Sequence, residues 1–132
     1  MNVKENRYFK KARSRASKVL KNKKRTQQLL HMLSRKLRDT NFNQSGKGGI
    51  LNRLSVFGRL VRAYIKGEYR GVKTAHILMI VAAIIYFVTP LDLIPDFIPV
   101  TGFVDDFTVI AWVYSKLRYE IDAYLAWEKQ SI

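Results

Sequence analysis

The chain has 132 residues, enough for one modest domain with a core and too few for two. It contains no cysteine, which excludes disulfides, thiolate catalysis and cysteine metal sites; its two imidazoles, His31 and His76, read as one surface and one helix-end histidine. The net charge of +14 is unevenly split: residues 1–73 carry 21 Lys and Arg against Glu5, Asp39 and Glu68, while residues 74–132 carry three against seven acids. A basic half suited to an anionic partner therefore precedes an apolar, mildly acidic one.

The N-terminus, Met-Asn-Val-Lys-Glu-Asn-Arg, lacks the apolar core and cleavage site of a secretory signal, so a cytoplasmic N-terminus is expected. From Lys4 to Arg38, Phe9, Ala12, Ala16, Val19, Leu20, Leu30, Leu33 and Leu37 recur at helical spacing among basic residues. The cluster Lys21 to Arg25 interrupts that stripe, so one helix or two fit equally. Residues 1–40 are read as a basic helical arm, with Lys10, Lys11, Arg13, Arg15, Lys21, Lys23, Lys24 and Arg25 as expected contacts to anionic lipid. Residues 41–49 collect asparagines and glycines and read as a linker. Within it Ser45-Gly-Lys-Gly-Gly49 follows no strand and is not expected to cradle a phosphate.

Residues 50–132 are read as the folded domain. Ile50, Leu54, Phe57, Val61 and Tyr64 mark one helical face, with Arg53, Arg59, Arg62 and Lys66 on or near the other, and Gly67 and Gly71 bracket the helix end. Thr74 to Leu91 carries no charge and is apolar on every side between Ile77 and Val88, so it must lie in a protein core or in lipid; its length falls between the two. Phe103, Phe107, Ile110, Tyr114, Leu117, Ile121 and Tyr124 then form a heptad stripe running to about Trp127. The fold class is all-α: basic amphipathic helices and a hydrophobic helical hairpin at about 74–114, turned by a proline- and aspartate-rich segment.

That segment, from Thr89 to Asp106, holds all three prolines and four of the ten acids among apolar neighbours. Carboxylates in such surroundings cost several kcal/mol unless capped, paired or coordinated. Thr89 suits an N-cap, Pro90 the first helical position and Asp92 the third, while Asp105 and Asp106 suit the first turn of the last helix, with Gly102 turning the chain into it. Asp96, between Pro95 and Pro99, has no local capping role. Two sharper readings stand beside capping: the aspartates pair with an arginine or lysine of the basic half, or Asp92, Asp96, Asp105 and Asp106 converge on a divalent cation.

The run from Tyr86 to Asp106, with Pro-Leu-Asp-Leu-Ile-Pro-Asp-Phe-Ile-Pro followed by Gly-Phe-Val-Asp-Asp, resembles the signature of the YkvA-like family. The resemblance covers part of the chain and implies a short helical domain, membrane-associated, with no established reaction. No P-loop, nucleophile elbow, zinc-binding helix or dinucleotide fingerprint occurs, so neither an enzyme nor a cofactor is expected. A membrane-associated scaffold or interaction module at the bacterial inner membrane, with the hairpin inserted and supplying a transmembrane helix, is the expected function. Anionic lipid is the expected partner, followed by a protein partner or a second copy of the chain. A soluble module binding a divalent cation or nucleic acid is the alternative; few aromatics interleave with the basic clusters, which ranks nucleic acid below lipid.

Overall fold

The computed structural model describes residues 7–39, 48–88 and 105–131. Among these there are six helices and no strand: α1 (Arg7–Leu20), α2 (Lys23–Asp39), α3 (Gly48–Ile65), α4 (Thr74–Val88), α5 (Asp105–Lys116) and α6 (Arg118–Ser131). The all-α expectation holds.

Two helices, rather than one, occupy the basic N-terminal stretch, and Asn22 divides them. Its Oδ1 accepts from the backbone N–H groups of Lys24 at 3.0 Å and Arg25 at 3.2 Å, capping α2. Thr26 is fully buried and its hydroxyl lies 2.8 Å from the Val19 carbonyl and 3.1 Å from that of Asn22, pinning the end of α1 to the start of α2. α3 ends in a Schellman motif: the Glu68 N–H donates to the Ala63 carbonyl and the Gly67 N–H to that of Tyr64. The motif places Gly67 at a φ of 78°, where a side chain would be strained.

α4 is the centre of the molecule. A helix apolar on all sides must be covered on all sides, and Ile80 to Phe87 are all buried. α1, α2, α3 and α5 pack against it, α1 most extensively. Ala12 and Ala16, one turn apart on α1, are fully buried, and such small side chains let two helix backbones approach closely. The charge contrast along the sequence thus does not separate its halves in space. The boundary at 41–49 falls mostly outside the described residues, although α3 is already helical at Gly48 and Gly49.

Protein covers this helix from Ile80 to Phe87. α4 has 15 residues, about 22 Å of helix at 1.5 Å per residue, against about 30 Å of hydrocarbon. No helix among the described residues is long and apolar enough to cross a membrane, which corrects the transmembrane-helix expectation for them. α4 and α5 pack together, while residues 89–104, which join them, lie outside the described residues. The C-terminal stripe is divided at Leu117. Bonds from Leu117 N to Val113 O and from Ile121 N to Leu117 O, both 3.0 Å, carry the helical ladder through the division, and Ile110, Leu117, Ile121 and Tyr124 are all buried as one stripe.

Candidate functional site

Because α1 and α2 turn their small and branched apolar residues inward, their cations are left outside. Lys10, Lys11, Arg13, Arg15, Lys21, Lys23, Lys24 and Arg25 are all exposed. None of the eight takes part in an ion pair among the described residues. Shallow grooves run between them: Lys10, Arg13 and Ser14 of α1 face Ala75 and Leu78 of α4 across one, and Arg15, Lys18 and Arg25 border another that has Met32 and Ile85 on its walls. The arrangement is a field of uncompensated positive charge with apolar patches between the cations, fixed to a rigid core. A field of this sign favours anions over cations near that surface.

Elsewhere on the surface, charges are paired. Arg59 of α3 grips Glu128 of α6 with two bonds, Nε to Oε2 at 2.9 Å and Nη2 to Oε1 at 3.2 Å, and the Tyr124 hydroxyl donates to the same carboxylate at 2.9 Å. The Arg59 bond holds the Glu128 carboxyl below the ordinary carboxylate range and raises the guanidinium in turn. Burial, with the Glu128 bond added, pushes the Tyr124 phenol up to about 12. His76, in the first turn of α4, places Nδ1 2.7 Å from the Glu120 carboxylate of α6. Tyr69, Tyr124 and Trp127 cluster with ring centroids 5.1 to 5.8 Å apart, closing α6 over the α3–α4 connection. At the other end of α4, Lys36 Nζ donates to the Phe87 carbonyl and stands 4.4 Å over its ring, a positive charge at a helix C-terminus.

Of the signature residues, Asp105 and Asp106 fall within α5. Thr89, Pro90, Asp92, Pro95, Asp96, Pro99 and Gly102 lie outside the described residues, and with them the question of convergence on a cation or an arginine. Among the described residues, no three His, Asp or Glu gather into a metal-binding group.

The segment that carries the signature also carries the family match. The model of the family described as "Protein of unknown function (DUF1232)" matches residues 76–112, from the start of α4 into α5. The uncharacterized membrane protein YkvA of Bacillus subtilis (strain 168) is 32% identical over 80 residues, covering 61% of this chain and 76% of that protein. The chain belongs to the YkvA-like family. No solved structure matches it. In this YkvA-like chain the matched segment is the core helix and its exit, so the family signature and the basic field are different places in one fold.

Sequence reasoning located the exposed cations of α1 and α2 and missed what α2 and α3 form together. Leu30, Leu33 and Leu37 line a groove whose other wall bears Arg59 and Arg62. The signal lies in the spacing of Arg59, Arg62 and Lys66 at the C-terminal end of α3, which the periodicity alone places on or near a polar face.

Proposed function

We propose that this YkvA-like protein is a non-enzymatic helical module that binds the anionic face of a membrane. The observation that carries the reading is the field of eight exposed, unpaired cations on helices anchored to a core. Each Lys or Arg held near an anionic bilayer contributes about 1 kcal/mol. Stable attachment takes a second, apolar signal, which the sequence offers in Leu91, Leu93, Ile94, Phe97 and Ile98 between the prolines, on the hairpin read from residues 74–114. The orientation proposed is with the N-terminal cations at the cytoplasmic leaflet of the bacterial inner membrane. The name of the B. subtilis relative, a membrane protein, supports association with a membrane.

Co-sedimentation of the full chain with vesicles tests the reading. Vesicles containing phosphatidylglycerol should bind it more tightly than pure phosphatidylcholine. The difference should shrink as salt rises from about 0.1 to about 1 M, which shortens the Debye length from about 10 to about 3 Å. Equal binding to both vesicles at low salt, or tighter binding to duplex DNA than to lipid at matched salt, would sink it.

A further inference from the structure

α2 and α3 run antiparallel and leave a groove between them that is open to solvent. It has two stretches that share Leu30, Ser34 and Arg62. Along its α2 wall, from Gln27 to Leu37, it extends about 15 Å at 1.5 Å per residue. Gly58 sets its depth, because a Cβ there would come 3.0 Å from Leu33 Cδ2 and hold the helices apart. The wider stretch, of about 450 Å³, ends at Lys66; the narrower one ends at Leu37.

The two ends differ in chemistry. Arg62 in the last turn of α3 and Lys66 just past its end, four residues apart, are exposed and have no ion-pair partner among the described residues, whereas Arg59 is held by Glu128. No carboxylate lines either stretch. From Arg62 toward Leu37 the walls carry Leu30, Leu33 and Leu37, with Ser34, Ser55 and the paired Arg59 among them. A site with two cations at one end and an apolar track leading from them matches a molecule with one anionic end and one hydrocarbon tail. Both walls are helices whose backbone groups bond internally, so an extended peptide would gain no main-chain hydrogen bonds. A hydrocarbon chain needs none.

We infer that this groove holds a single anionic phospholipid drawn from the bilayer, its phosphate between Arg62 and Lys66 and one acyl chain along Leu30, Leu33 and Leu37. The inference rests on the membrane-face reading above for its source of lipid. It adds to that reading a stoichiometric site distinct from the diffuse charge of α1.

The test uses the full chain and dihexanoyl phosphatidylglycerol below its critical micelle concentration, so that lipid is presented as monomers, with titration calorimetry as the readout. The anionic monomer should bind one to one, and more tightly than dihexanoyl phosphatidylcholine or inorganic phosphate. Arg62→Gln, which removes a charged contact at an exposed position, should weaken it about tenfold. Ser34→Phe, which fills the part common to both stretches, should abolish it, while both variants keep the parent's thermal midpoint. Equal binding of the two lipid monomers would overturn the inference, as would inorganic phosphate binding as well as the lipid, or Ser34→Phe binding as the parent does. Displacement of the monomer by a lower concentration of an acidic amphipathic peptide would overturn it in favour of a protein partner. Monomer binding that persists while vesicle binding proves independent of salt and lipid charge would sink the membrane-face reading and leave the groove standing.

Discussion

The α1–α2 face and the α3–α6 face of this molecule treat charge in opposite ways. On the second, Asp122 and Glu128 each face a cation and Glu120 faces the His76 imidazole, and two of the three carboxylates reach across from one helix to another. On the first, eight cations face water with no carboxylate beside them. Charge that is paired within the fold helps to align α6 against α3 and α4. Charge left unpaired contributes nothing to the fold and is available to an outside partner. The difference separates residues that hold the structure from residues that use it.

The largest effect should come from erasing the unpaired side. Replacing Lys10, Lys11, Arg13 and Arg15 together with Gln should cost about 4 kcal/mol of affinity for anionic vesicles and change unfolding free energy by less than about 0.5 kcal/mol. Vesicle co-sedimentation and denaturant melts read the two quantities separately. A stability loss as large as the affinity loss would break the distinction between the faces.

Next in size is the seam beneath those cations. Ala16 is fully buried on the α1 side that packs into the core, so Ala16→Leu overfills a close helix contact and should cost about 1–3 kcal/mol in a urea melt. A neutral result would mean that α1 is held loosely. Thr26→Val keeps the shape and removes a buried hydroxyl that serves the Val19 carbonyl. That change should cost about 1 kcal/mol, because the carbonyl keeps a bond from the Asn22 N–H.

The smallest effect belongs to the paired side. Arg59 and Glu128 retain 45% and 26% side-chain exposure, so solvent screening limits their pair to about 0.5–1 kcal/mol. Since the Glu128 carboxyl titrates lower in the folded chain than in the unfolded one, its contribution is full above the unfolded value of about 4.3 and disappears as pH falls through the lower folded value. Glu128→Gln should therefore lie below the parent at neutral pH and converge with it in acid. A constant gap down to the lowest pH would assign the contact to packing. Arg118 and Asp122, 4.0 Å apart and 74% and 60% exposed, should show no measurable coupling.

Local signals were legible in the sequence where chemistry acts over a few residues. Lys21 to Arg25 interrupted the apolar stripe, and the break is there with Asn22 capping it. Gly67 was marked as a helix end and takes the positive φ that such an end requires. The featureless apolar run from Ile77 to Val88 demanded cover, but the sequence could not say what would cover it, and α1 is a large part of the answer. Ala12 and Ala16 carry too little hydropathy to advertise a buried face among lysines, although their spacing gives one. The Arg59–Glu128 pair joins residues 69 positions apart, and the α2–α3 groove depends on which helices become neighbours. Neither has a local signature. The division at Leu117 was invisible for another reason: the ladder continues through it, so the heptad pattern does too.

The docking of α1 on α4 also orders events in time. About 50 residues separate the end of α1 from the start of its main partner, so at about 5–20 residues per second of synthesis α1 waits roughly 3–10 s for α4 to appear. A 14-residue helix is marginal alone in water. α1 thus gains lasting order no earlier than α4 does, and during that interval its cations meet the cell before the fold does.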